Sequence, residues 1–172
     1  MIWQRLGLAL LACALVAGCG FKLRGTGLNV SAQSVFVRGA DPTRVGSSEF
    51  AQALRRAFAQ RRVTVTDGPE AAEVQVRVLD ERRERRNLSV TGQARAAEWE
   101  LTRAVQFSAV AGSSEELIEP RWIEVKRFFR VDRDNIVGSN EEQRLVEQEL
   151  TRDLVDQVLR SVNQVLAERA AG

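Results

Sequence analysis

Apolar positions in this chain recur with two periods, and the switches between them mark out the elements. "SVFVRG", Ser34 to Gly39, is a short apolar run that predicts a first strand. After the Asp41-Pro42 turn signal, Ser47 stands where it can cap a helix whose Phe50, Ala53, Leu54, Ala57 and Phe58 recur at three- and four-residue spacings. Arg55, Arg56, Gln60 and Arg61 then take its wet side. In "RVTVTDGP", Val63 and Val65 alternate with Thr64 and Thr66 and close in a turn, which predicts a second strand. Val74, Val76 and Val78 alternate in the same way, as do Trp99, Leu101, Val105, Phe107 and Ala109, so the two runs read as the limbs of a long β-hairpin. Between them "DERRERRNLSVTGQARAAE" is polar and turn-rich around Gly92. A further strand runs through "RWIEVKRFFRV", with Ile123, Val125, Phe129 and Val131 on one face and Pro120 at its start, where a missing amide hydrogen does least harm. Ser139-Asn140-Glu141-Glu142 reads as a capping box. It opens a helix to about Arg169 with Val146, Leu150, Leu154, Val158, Val162 and Val165 or Leu166 on one stripe. Two amphipathic helices and four or five strands predict an α/β (α+β) two-layer sandwich, the helices on one face of a mixed sheet that contains the long hairpin.

The first residues follow neither period. One positive charge in Met1 to Arg5 precedes an unbroken apolar and small-residue run, Leu6 to Gly18. Spanning a bilayer takes about 20 apolar residues, so this run is a secretory leader rather than a membrane helix. Leu15-Val16-Ala17-Gly18-Cys19 resembles the bacterial lipobox, with Val16 where leucine is commoner. That resemblance implies cleavage before Cys19 and acylation of its thiol. The other reading is a plain signal peptide followed by a structural or free cysteine, and it fits less well because Cys13, the other cysteine, lies inside the leader. A triacylated Cys19 holds a protein on a membrane essentially permanently, at about 0.8 kcal/mol per buried methylene. Gly20, and not aspartate, follows it, which by the lipoprotein sorting pattern implies the outer membrane of a Gram-negative cell. The chain then divides into a leader (1–18), a lipidated anchor and linker (19–34) and a single globular domain (35–172).

Composition narrows the chemistry. With 44% hydrophobic and 28% charged residues the chain is globular, and a net charge of +2 points to no polyanion by itself. There is no histidine and no tyrosine, and processing leaves no free thiol, so histidine-based triads, cysteine–histidine nucleophiles and ordinary zinc sites are excluded. Glu98 and Glu100 share one strand face, but carboxylates two apart on a strand form a solvated stripe more often than an acid–base pair. No phosphate-cradling glycine motif occurs, so neither an enzyme nor a cofactor is expected. The arginines of "ERRERR", Glu81 to Arg86, and Arg95 carry more information. A guanidinium is a planar fork that grips phosphate or carboxylate bidentately. At an outer membrane the polyanion within reach is lipopolysaccharide and not nucleic acid. Equally, alternating arginine and glutamate can serve only to keep a strand edge soluble and unpaired.

"CGFKLRG", Cys19 to Gly25, resembles the start of mature lipopolysaccharide-assembly lipoproteins of the LptE family. "FAQALRRAF", "GQARAAEWEL" and "RFFRVDRDNIVGSNEEQRLVEQEL" are similar to further stretches of that family in the same order. The resemblance implies a non-enzymatic protein that plugs an LptD-type β-barrel and helps it place lipopolysaccharide in the outer leaflet. It also implies lipopolysaccharide contacts from basic residues near the hairpin tip, here Arg95 with Arg85 or Arg86, and before the last helix, here Arg130 and Arg133. Ser139 stands where a lysine can precede the acidic helix start. The alternative function is a periplasm-facing scaffold lipoprotein that binds peptidoglycan or another envelope protein.

Overall fold

The computed structural model describes residues 31–40, 48–90, 96–112, 114–132 and 136–171. The leader, Cys19, the Asp41-Pro42 turn, Ser47, Gly92, Arg95 and Arg133 lie outside the described residues.

Five strands form one sheet in the order β2-β1-β3-β4-β5: β1 Ser34–Arg38, β2 Thr64–Val65, β3 Val74–Val90, β4 Ala96–Ala111 and β5 Glu116–Asp132. β1 lies parallel to both β2 and β3, and the two remaining pairs are antiparallel, so the sheet is mixed as expected. Two helices, α1 Glu49–Gln60 and α2 Ile136–Ala171, cover one face. The apolar positions meet between the layers: Val35 and Val37, Leu54 and Phe58, Val74, Val76 and Val78, Val105 and Phe107, and Leu150, Leu154 and Val158 form one core. Ala32 is part of it, so the packed domain already includes the end of the segment read as a linker.

Four local expectations change in detail. Ser48, not Ser47, caps α1, with its side-chain oxygen accepting from the Ala51 amide at 2.9 Å. The polar stretch read as turn-rich is mostly strand, because β3 runs to Val90 and β4 starts again at Ala96. Ladder pairing with β4 holds these residues extended despite their charge, a tertiary override of weak local propensity. β5 begins at Glu116 and keeps Pro120 inside it. That is tolerated because β5 is an edge strand and its register with β4 shifts between Ile118 and Arg121. Finally, α2 starts at Ile136, so Ser139 is a buried residue within the helix rather than its cap.

Two bulges in β3 position everything that follows. The pairing with β4 skips one residue between Val78 and Asp80 and another between Asn87 and Ser89. The skipped residues, Leu79 and Leu88, are 41% and 44% exposed, as expected of positions that a bulge removes from the ladder.

Candidate functional site

Beyond Val78, β3 keeps its pleat while its side chains become charged, Asp80 to Arg86 reading DERRERR. Successive side chains on a strand point to opposite faces, so the bulge at Leu79 decides which of them meet the helices. Glu81, Arg83 and Arg85 pair with Val105, Arg103 and Leu101 on the helix side. Asp80, Arg82, Glu84 and Arg86 pair with Gln106, Ala104, Thr102 and Glu100 on the open side.

On the helix side these charges tie the hairpin to the helices. The Ser48 hydroxyl donates to a Glu81 carboxylate oxygen, and Glu49, first residue of α1, forms an ion pair with Arg83. Arg83 and Arg103 face each other directly across the ladder, a like-charge pair that is unfavourable unless an anion sits between them. The Glu49 carboxylate does so, its Oε2 lying 3.6 Å from Arg103 Nη2, with Glu81 Oε2 at 4.0 Å from the same nitrogen. The hydrogen bond from Arg83, with smaller help from Arg103, holds the Glu49 carboxyl below the usual carboxylate range. Burial and then the Arg83 charge lower the pKa of Arg103. Arg103 is only 6% exposed, and its Nη1 donates to Thr151 Oγ1 on α2. Its buried Nη2 has no hydrogen-bond acceptor among the described residues. Arg85 lies over the Trp99 ring at 3.9 Å, and its Nη1 stands 3.4 Å from Gln143 Oε1 on α2.

The open face is charged. β3 alternates Asp80, Arg82, Glu84 and Arg86, β4 presents Glu98 and Glu100, and β5 presents Glu124, Lys126 and Arg130, so both signs of charge interleave across the face. Arg82 covers the Trp122 ring at 4.1 Å, while Phe128 is 58% exposed beside these charges. Chemically this face offers guanidinium forks next to aromatic surface, a surface able to hold phosphate and apolar groups together.

Of the sequence-selected residues, Arg86 and Arg130 therefore share the open face, whereas Arg85 lies on the helix side. Arg95 and Arg133 adjoin in sequence Ala96 and Asp132, which are partners in the ladder. Arg103 escaped selection, although there was a signal for it. Trp99, Leu101, Val105 and Phe107 keep strict alternation, and Arg103 fills the inward position between them. Among the described residues no group of histidine, cysteine, aspartate and glutamate could hold a metal ion.

Residues 32–162 match the model of the LptE family, described as lipopolysaccharide-assembly. The chain belongs to the LptE family. Its match takes in all five strands, α1 and most of α2. No curated protein sequence matches the chain. Among solved structures it is similar to lipoprotein B from Nitrosomonas europaea, at TM-score 0.70 and 23% identity, covering 86% of this chain and 93% of that one. Rare lipoprotein B from Shewanella oneidensis superimposes at TM-score 0.65 and 20% identity over 80% of this chain and 98% of that one. A minor lipoprotein from Acinetobacter baumannii does so at TM-score 0.57 and 16% identity, over 77% and 93%. At these identities the likeness is one of fold alone.

Proposed function

We propose that this LptE-family protein is a non-enzymatic outer-membrane lipoprotein, anchored through acylated Cys19, that plugs an LptD-type β-barrel and assists it in delivering lipopolysaccharide to the outer leaflet. The observation that carries the reading is the family match across residues 32–162, and the lipobox-like Leu15 to Cys19 in register before it adds to that. The open sheet face agrees with a place inside a barrel, since barrel interiors are polar and this face is charged along all three long strands. In this reading lipopolysaccharide meets Arg86 and Arg130 on the open face, together with Arg95 and Arg133, which in sequence adjoin the paired residues Ala96 and Asp132. Arg85 contributes from the helix side.

The test is co-purification of the full-length chain from detergent-solubilised outer membranes. Stable recovery with a large β-barrel is expected, and recovery with cell-wall sacculi instead would move the protein to the scaffold class. Cys19→Ala is expected to abolish the acyl mass on the amino-terminal peptide and to shift the protein out of the outer-membrane fraction. Unchanged fractionation of that variant would remove the anchor from the proposal.

A further inference from the structure

A cleft of about 280 Å³ opens between the first turn of α1, the charged half of β3, the facing part of β4 and residues 143–150 of α2. Arg83, Arg85, Arg103 and Arg144 line it, against Glu49 and Glu147. Three features of the cleft bear on what it holds. The Arg83–Arg103 cross-strand pair needs an anion between its members, because like charges directly opposite on a sheet repel. Arg103 Nη2 is buried without an acceptor, and a buried donor left unbonded is costly, so the site is built for one more acceptor than the described residues supply. The carboxylate now serving the pair is held by Arg83 but stands open to solvent. The Glu49 side chain is 61% exposed on the first residue of a helix, so it can rotate into solvent while Arg103, 7% exposed and tied to Thr151, stays. The amino terminus of α1 adds its own positive potential at that spot.

We propose that this cleft is a binding site for phosphate groups, in which Arg83 and Arg103 grip the phosphate in the place that the Glu49 carboxylate occupies, with Arg85 and Arg144 at the mouth. Glu49 then acts as a built-in competitor, an anion that keeps two facing arginines compatible until a better acceptor arrives. Phosphate is better suited because its oxygens can take both guanidinium forks and reach Nη2 together, while Glu49 Oε2 stands 3.6 Å from that nitrogen, beyond good hydrogen-bond length. The phosphate of a glycolipid head group and free phosphate share this chemistry. Only the choice between them rests on the function proposed above, and barrel association does not depend on the cleft.

The experiment uses the full-length chain in detergent micelles. Inorganic phosphate is titrated at constant ionic strength with chloride as the balancing anion, and lipid A with and without its phosphates is titrated in the same detergent. Saturable binding of phosphate is expected in the wild type. Glu49→Gln should tighten it about tenfold, the scale of one charge-assisted hydrogen bond. Glu168→Gln, which changes net charge equally near the far end of α2, should leave it unchanged. Arg103→Lys keeps the charge but loses the fork and should weaken binding about tenfold or more. Should that variant fail to fold, Arg83→Gln, at a 57% exposed side chain, reports on the same grip. Tighter binding of phosphorylated lipid A assigns the site to a head group, and saturation by inorganic phosphate alone assigns it to the free anion; both support the site. Absence of saturable binding by any phosphate in both the wild type and Glu49→Gln overturns it, as does equal tightening by Glu168→Gln.

Discussion

In the half of the β3–β4 hairpin nearest β1, the helix-facing positions are Val74, Val76, Val78, Phe107 and Ala109, each essentially removed from solvent. In the half nearest the turn, the same pleat presents Glu81, Arg83 and Arg85 on β3 and Arg103 on β4. One ladder runs through both, so backbone pairing does not distinguish them. What differs is the means of attachment to the helices. The first half is held by apolar burial, worth about 1.5–3 kcal/mol for each fully buried large side chain. In the second, Leu101 and Val105 of β4 stay in the core, but β3 is tied to the helices by charges such as the exposed Arg83–Glu49 pair, and such pairs are worth only about 0–1 kcal/mol each. On β3, therefore, apolar burial secures only the end nearest β1. At the other end the charged groups can exchange partners at small cost to the whole, a property suited to binding and poorly suited to stability.

The comparison breaks most visibly in the core. Leu154, fully buried on α2, should lose about 2–5 kcal/mol on replacement by alanine, read as a shift in denaturant midpoint. A loss under about 1 kcal/mol, typical of a surface position, would mean that the apolar layer does not hold the domain.

Arg103 sits between the two regimes, buried like a core residue and bonded like a surface one. Arg103→Met takes the guanidinium away from the largely shielded Glu81 carboxylate and from the Thr151 hydroxyl, so we expect about 1–3 kcal/mol of destabilisation in the same assay. Equal or greater stability of the methionine variant would show that the charged half tolerates an apolar centre, and the contrast between the halves would lose its basis.

On the open face, reversing Arg86 and Arg130 to glutamate should leave stability within about 0.5 kcal/mol, as for other exposed sites. Lipopolysaccharide binding by the same double variant should weaken roughly tenfold or more at low salt, with a smaller loss at high salt because exposed charges are screened over about 8 Å at physiological ionic strength. Equal binding by variant and wild type at low salt would reduce these arginines to a solvated strip balanced by Glu98 and Glu100.

The smallest effect concerns pH. Glu49 has a folded pKa below its unfolded value, so its contribution is present above the unfolded pKa and is lost as pH falls through the folded one. Stability of the wild type should therefore drop slightly more than that of Glu49→Gln between neutral pH and about pH 3. Identical pH profiles of the two proteins would show that the Arg83–Arg103 pair needs no anion.

Much of this was readable along the chain. The apolar stripe from Leu150 through Leu154 and Val158 to Val162 recurs at helical spacing, and burial of those same residues is what packing a helix on a sheet requires. The alternations at Val74 to Val78 and at Leu101 to Ala109 likewise predicted inward faces, because period two is a property of the strand itself. The stretch from Asp80 to Val90 was not readable as strand, since its charge and polarity are also those of a loop and only pairing with β4 makes it extended. Nor could the chain say that Arg83 and Arg85 face the helices while Arg82 and Arg86 face away. In a run where nearly every residue is charged, both registers look alike, and a single bulge at Leu79 exchanges them. Sequence alone determined which residues are apolar and with what period, because that information is local. The tertiary structure decided which arginines share a face and which one is buried beside Glu49, because those facts depend on the register between strands far apart in the chain.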